Sequence, residues 1–194
     1  YVLSHVQLAK AALAQGDAAA AITHLEAAQR YPHNLGEGKL HGAQENHIFY
    51  FLGLAYQQLG QPEQAELALQ RADTGLSEPT SPMFYNDQPP EMIFYQGLAK
   101  RALADEAAAT EIFQKLIDYG AAHMEDEVGI DYFAVSLPDF LVFDEDLTQR
   151  NQIHCHYMLA LGWLGLGDRT RADAHFAAVL ERTPYHAGAT LRPV

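Results

Sequence analysis

Apolar residues recur three and four positions apart in several stretches of the chain, and glycine, proline or short polar runs separate these stretches. Val6, Ala9 and Leu13 show this spacing, which places side chains on one face of a helix. The pattern predicts helices in pairs, one pair in each of these ranges: about 2–32, 46–77, 90–120 and 148–184. The sequence therefore predicts an all-α fold with essentially no sheet.

A turn signal lies midway along each predicted pair. These signals are Gly16-Asp17, Gly60-Gln61-Pro62, Ala104-Asp105 and Gly167-Asp168. Glycine ends helices readily, and an aspartate can cap the helix that follows it by accepting a backbone N–H. We expect Asp17 and Asp146 each to cap the next helix in this way.

Residues 120–147 interrupt the helix pairs with the longest of the insertions between them. Apolar residues crowd into 130–143, and leaving them in water would cost about 25 cal/mol for each Å² of apolar surface. We therefore expect this segment to be ordered and packed against the helices. The expected aromatic anchors are Tyr132, Phe133 and Phe140.

Small, aromatic and proline residues in 153–184 fall at positions that resemble the tetratricopeptide repeat, a unit of about 34 residues. The matching residues are Leu159, Ala160, Trp163, Ala172, Phe176 and Pro184. The resemblance implies an α-α superhelix, or solenoid, of about four helix pairs with long insertions between repeats. Because such pairs bury one continuous core, we expect a single TPR-like domain over 1–194.

One position in the first helix of each pair is always small. It is occupied by Ala9, Gly53, Gly97 and Ala160. Glycine inside a helix costs about 1 kcal/mol relative to alanine, so a repeated glycine indicates that helices pack closely there. We expect Trp163 to be buried between the helices of its own repeat, beside Phe176.

The resemblance also implies a concave groove, lined by the first helix of each repeat. Carried over by position, the candidate groove and ligand residues are His47, Tyr50, Leu54, Glu91, Phe94, Leu98, Arg101, His154, Tyr157 and Leu161. The family's peptide clamp holds carboxylates with lysine and asparagine, whereas only Lys10 and Arg101 are available here. Two interpretations follow: residues 128–143 or another domain cover the apolar groove, or the groove accepts a ligand.

Composition narrows the choice of partner. The net charge of −13 disfavours nucleic acid and anionic membranes, because phosphates are bound by lysine and arginine. No apolar run is long enough to span a membrane, and no basic-then-apolar signal segment opens the chain. Cys155 is the only cysteine, which excludes an internal disulfide and fits a reducing compartment. We therefore expect a cytoplasmic protein.

The chemical groups do not form a recognisable reactive site. His154 and His156 are two residues apart, so on a helix they point to different faces and cannot chelate one metal well. We expect Cys155 to be a small buried residue rather than a nucleophile. The acidic runs at 125–127 and 144–146 lack the spacing of a calcium-binding loop. We expect no catalytic residue, no cofactor and no metal.

The segment FYQGLAKRAL and residues 130–167 resemble the C-terminal repeat region of large bacterial proteins of unknown function. Those proteins carry an N-terminal domain similar to sugar-binding β-sandwiches. The chain begins at Tyr1, already inside a helical pattern, which we interpret as a fragment of a longer protein. The resemblance implies a carbohydrate context for that parent protein and assigns no catalytic residue.

Two functions are compatible with these patterns. The first is a non-catalytic scaffold that binds a peptide, a protein or another domain of its parent chain. The alternative is an accessory region that completes a saccharide site, with Tyr50 and Phe94 stacking on sugar rings and Glu91 or Asp139 binding hydroxyls. Aromatic rings with free faces along an open cleft would favour the saccharide-site function. Rings packed against other side chains would favour the scaffold function.

Overall fold

The computed structural model describes residues 1–36, 38–39, 42–82, 89–128 and 146–194, and these residues are helical with no strand. The helices are α1 (Val2–Ala14), α2 (Ala18–Ala28), α3 (Asn46–Gln58), α4 (Pro62–Ala72), α5 (Pro90–Ala102), α6 (Glu106–Ala122), α7 (Leu147–Gly165), α8 (Arg169–Arg182) and α9 (Ala187–Leu191). A short 3-10 helix spans His33–Leu35. The prediction of an all-α fold built from helix pairs is confirmed. None of these helices is long and apolar enough to cross a membrane.

The predicted turns and caps lie where each pair changes direction. Asp17 Oδ1 accepts the backbone N–H of Ala20 at 3.0 Å, and Asp146 Oδ1 accepts that of Gln149 at 2.9 Å. Each bond satisfies one of the N–H groups that a helix leaves unpaired at its first turn. Both capping predictions are therefore confirmed. At the third turn Ala104 takes the left-handed φ of 65° that glycine holds at the other turns.

The described residues form two compact units, of which the first comprises 1–77 and 91–112. Alanine and leucine side chains from α1 to α4 make up much of its core, including Ala9, Ala21 and Leu25, each 0% exposed. A Cβ placed on Gly53 would lie 2.6 Å from Leu69 Cγ, so α3 and α4 approach too closely for a larger residue. This confirms the packing reason expected for that glycine.

Two buried amides fix the chain that leaves α4. Asn46 Nδ2 donates to the carbonyls of Ala72 at 2.8 Å and Thr74 at 2.7 Å. Gln96 Nε2 donates to the carbonyl of Thr74 at 3.0 Å and also to that of Leu76 at 3.1 Å. Carbonyls at a helix C-terminus lack partners within the helix, so these amides satisfy groups that would otherwise be costly to bury.

The second unit comprises 78–90 and 113–194. A Cβ on Gly162 would lie 2.8 Å from the carbonyl oxygen of Phe113, and one on Gly165 would overlap the ring of Phe113. These glycines therefore let α7 lie against the C-terminal half of α6. At the start of α7, Asn151 Nδ2 donates to the carbonyl of His123 at 2.7 Å.

The aromatic packing of the last pair differs from the expectation for Trp163. Trp163 is half-buried rather than enclosed, and the guanidinium of Arg171 lies over its ring at 4.3 Å from the centroid. The ring that contacts Phe176 belongs to Tyr157, at a centroid distance of 6.1 Å. Tyrosine supplies the core aromatic because α9 follows α8 and covers that side of the pair.

Several expectations remain predictions. Most of the 120–147 insertion, with the proposed anchors Tyr132, Phe133 and Phe140, lies outside the described residues, as do Asp139 and most of 128–143. The grouping of the repeats into one domain over 1–194 also stays a prediction.

Candidate functional site

Half-buried apolar residues of α3 and α5 form a surface in the first unit, which we call the α3/α5 face. Tyr50, Leu54 and Leu98 pack against the buried core with one side and reach the surface with the other. His47, Glu91 and Arg101 are also half-buried on these two helices. Seven of the ten candidates from the sequence thus belong to helices of one unit, and six of them are half-buried.

The anchor of this face is Tyr95, which the sequence analysis did not select. Tyr95 is 5% exposed, and its ring contacts those of His47 at 5.9 Å, Tyr50 at 5.7 Å and Phe51 at 5.6 Å. Burial, then the nearby Glu91 and Tyr50, raise the pKa of Tyr95, so its hydroxyl stays protonated. The signal was available, because Tyr95 occupies in the third pair the position that Phe51 occupies in the second.

Burial also sets the ionisation of the tyrosine at the surface. The pKa of Tyr50 is raised by burial, and the positive charge of Arg101 opposes that rise. Tyr50 therefore presents a neutral ring and a hydroxyl rather than a charge. A ring of this kind offers apolar contact with a polar edge, which suits the edge of a protein interface.

Two cations near the end of α5 are held by carboxylates of the same unit. Arg101 makes a two-pronged contact with Glu106, with Nε to Oε2 at 2.8 Å and Nη2 to Oε1 at 2.7 Å. This hydrogen bonding raises the pKa of Arg101 and lowers that of Glu106. Lys100 Nζ lies 2.7 Å from Asp73 Oδ2. The guanidinium of Arg101 already binds a carboxylate, so it does not form a ready clamp for one from a partner.

Lys10 and His47 are both shifted toward their neutral forms. Lys10 Nζ lies 5.9 Å from the centroid of the Phe51 ring, and burial lowers the lysine pKa. Burial lowers the pKa of His47 to about 4, and its Nδ1 has no hydrogen-bond partner among the described residues. The α3/α5 face therefore combines apolar side chains with a histidine that is neutral at physiological pH.

The other four candidates are placed differently. Phe94 and Leu161 are 0% exposed and Tyr157 is 3% exposed, so these three lie in the interior and are not open to a ligand. His154 is half-buried, and its Nε2 lies 2.8 Å from the carbonyl oxygen of Thr80. Any binding role for His154, or for the six half-buried candidates on α3 and α5, stays a prediction.

A second depression, which the sequence did not reveal, lies among α2, α3 and α4. It has a volume of about 360 Å³ and is lined by Glu26, Gln29, Phe49, Leu52, Tyr56, Gln64, Leu67, Ala68 and Arg71. Arg71 covers the Phe49 ring at 3.7 Å from its centroid, whereas Leu67 is 63% exposed. The helical pattern of the sequence does not show that neighbouring helices leave a gap here.

In the described part of the chain, the cysteine and the acidic groups do not form a reactive site. Cys155 is 0% exposed, as expected of a buried apolar residue. Burial, with a smaller contribution from Asp126, raises the pKa of its thiol to about 11, so the nucleophilic thiolate is suppressed. Among the described residues, no group of three or more His, Cys, Asp or Glu side chains could hold a metal.

A comparison with known families identifies the repeat that contains half of the α3/α5 face. Residues 47–74 match the model of the tetratricopeptide repeat. This segment covers nearly all of α3 and the whole of α4. Repeats of this family generally mediate protein–protein interactions. Over these residues the chain is similar to a tetratricopeptide repeat, and its helix pairs give it an all-α, TPR-like helical repeat fold.

Proposed function

We propose that the chain is a non-catalytic scaffold whose α3/α5 face binds a segment of another protein or of another domain of its parent chain. The observation that carries this proposal is the set of half-buried apolar residues Tyr50, Leu54 and Leu98, which lies on and beside the repeat that matches the family model. Tyrosine is enriched in protein interfaces, and the partly exposed leucines beside it would supply apolar contact.

Charge indicates the composition of the bound segment. The chain carries a net charge of −13, and the guanidinium of Arg101 is already paired with Glu106. A basic segment with apolar side chains is therefore favoured over an acidic one, because long-range attraction would speed its association. Apolar side chains of that segment would contact Leu54 and Leu98, while the ring of Tyr50 would lie at the edge of the contact.

The state of Cys155 supports the proposal of a non-catalytic role. The Cys155 thiol is buried and its pKa is raised to about 11, which suits packing rather than nucleophilic attack. Its free, unpaired state is also compatible with the cytoplasmic location that we propose.

Selection from a displayed peptide library, followed by affinity measurements, tests the scaffold. We expect enrichment of basic segments with apolar anchors, and we expect Leu54→Ser with Leu98→Ser to weaken binding at least about tenfold, equivalent to 1.4 kcal/mol. Leu67→Ser is the matched control, since Leu67 is exposed in the depression among α2, α3 and α4.

The outcomes separate the alternatives. Equal loss of binding in both sets of variants, or loss only in Leu67→Ser, would contradict the assignment to the α3/α5 face. A parallel titration with oligosaccharides covers the carbohydrate alternative. Oligosaccharide binding that Tyr50→Ala abolishes, with no peptide enriched, would overturn the scaffold proposal.

A further inference from the structure

The first and the last repeat each contain two histidines that face each other, one on each helix of the pair. His5 of α1 and His24 of α2 bring their Nδ1 atoms to 3.2 Å, and the two residues are 19 positions apart. His156 of α7 and His175 of α8 bring theirs to 3.0 Å, also 19 positions apart. All four side chains are half-buried, so water reaches the pairs.

The two pairs occupy the same positions in their repeats. Counting from the small residue of the first helix, His5 precedes Ala9 by four positions and His156 precedes Ala160 by four. The second histidine of each pair follows the capping aspartate, Asp17 or Asp168, by seven. The arrangement therefore recurs in two parts of the chain that fold the same way locally.

Histidine is not needed at these positions for helix packing. In the second repeat they are held by Phe49 and Ala68, and in the third by Ile93 and Ile112. All four of these residues are buried apolar side chains. An apolar pair thus joins the helices adequately, and the paired histidines supply something that packing does not require.

The separation of the Nδ1 atoms matches the distance between two nitrogens that bind the same metal ion. Bonds of about 2.0–2.1 Å place two nitrogens about 3.3 Å apart at a tetrahedral angle and about 2.9 Å apart at a right angle. The observed 3.2 Å and 3.0 Å lie between these values. We propose that each histidine pair binds a divalent transition-metal cation of the zinc, nickel and copper class, with water completing its coordination.

Metal binding at these pairs requires a proton to move within one imidazole ring but releases none. Without metal, one ring donates Nδ1–H to the Nδ1 lone pair of the other, which accounts for the close contact. On binding, the donating ring moves its proton to Nε2, and both Nδ1 lone pairs then face the cation. No cluster of three or more metal-ligating side chains occurs in the described residues, so water must supply the remaining ligands.

A nearby positive charge should weaken zinc binding at the His156–His175 pair. The pKa of His156 is lowered by burial, then by Arg182 and by His175, so a positive guanidinium lies near this pair and opposes a second cation.

Calorimetric titration of the untagged chain with zinc chloride tests this assignment. We expect two zinc ions per chain, one in His24→Gln, one in His175→Gln and none in the double variant. His33→Gln is the control and should keep both sites, because exposed His33 belongs to the 3-10 helix and to neither pair. Zinc binding weaker than about 1 mM in the wild type, or unchanged stoichiometry in the double variant, would overturn the proposal.

A second measurement on the wild-type chain keeps the test decisive if a variant loses its helical circular dichroism spectrum. Imidazole nitrogen chemical shifts report which ring nitrogen binds metal. Zinc should shift the Nδ1 resonances of His5, His24, His156 and His175 and leave that of His33 in place. Uniform small shifts across all histidines would show non-specific binding and contradict the two sites.

Discussion

Two helices carry the same residue types at equivalent positions, but the side chains differ in exposure. α3 carries His47, Tyr50 and Leu54, and α7 carries His154, Tyr157 and Leu161 with the same spacing. Tyr50 and Leu54 are half-buried at a surface. Their counterparts Tyr157 and Leu161 are 3% and 0% exposed. Equivalent residues in a repeat therefore need not share exposure, and exposure decides which of them can contact a partner.

The C-terminal segment explains the burial of Tyr157. The ring of His186 lies 4.6 Å from that of Tyr157, and a Cβ on Gly188 would overlap the Tyr157 hydroxyl. His186 also caps α9 by accepting the backbone N–H of Ala189 at 3.1 Å. A helix of five residues is thus enough to convert a potential binding residue into part of the core.

Matched truncation of the two leucines should give the largest effect. Leu161→Ala should reduce the free energy of unfolding by about 2–5 kcal/mol, because it leaves a cavity in a closed core. Leu54→Ala should cost about 1 kcal/mol, since its side chain is already partly in solvent. Urea denaturation of both variants measures the difference. Equal losses would show that the two positions are equally enclosed.

Displacing α9 should expose Tyr157 and so remove its difference from Tyr50. Gly188→Ala places a methyl group where the Tyr157 hydroxyl lies, and such overpacking costs about 1–3 kcal/mol. Thermal unfolding measures the loss, and a rise in the reactivity of Tyr157 toward iodination would show that its ring has become accessible. Thr190→Ala is the control on the exposed side of α9 and should leave both quantities unchanged.

Acidification should act on α3 through His47. Burial lowers the pKa of this histidine to about 4 from its ordinary value of 6.5. The unfolded chain therefore binds the proton first, so stability is full above about pH 6.5 and falls as the pH decreases toward 4. With discount for the partly solvated ring, we expect a loss of about 1–2 kcal/mol between pH 7 and pH 5.

The matched variant for this prediction is His47→Gln, which cannot titrate. Denaturation midpoints at pH 7 and pH 5 should lie closer together in the variant than in the wild type. If the two proteins lose the same stability on acidification, His47 is not the group responsible.

The sequence was most informative where one local rule decides the structure. Asp17 and Asp146 were recognised as caps because the capping bond joins residues only three apart. Gly53 was recognised as a close-packing residue because repetition of a costly glycine needs a reason. These features depend on few neighbours, so spacing alone predicts them.

Prediction from the sequence failed where residues distant in the chain decide. Trp163 occupies the aromatic position of the repeat pattern, yet Arg171 lies over its ring and Tyr157 contacts Phe176 instead. The role of Tyr95 required knowing that three rings from α3 converge on it. To predict the histidine pairs, one had to recognise that residues 19 positions apart lie side by side on the two antiparallel helices of a repeat.

Among the four described turns within helix pairs, the one at Ala104 carries the most backbone strain. A side chain with a Cβ in the left-handed region costs about 1–2 kcal/mol, and Ala104 holds φ at 65° where Gly16, Gly60 and Gly167 turn without that cost. Local opening by thermal motion is governed by such small differences, because segments with the lowest opening energy separate first. Of these four turns, the one between α5 and α6 should therefore open most often in the native state, and a protease should cleave there in preference to the other three.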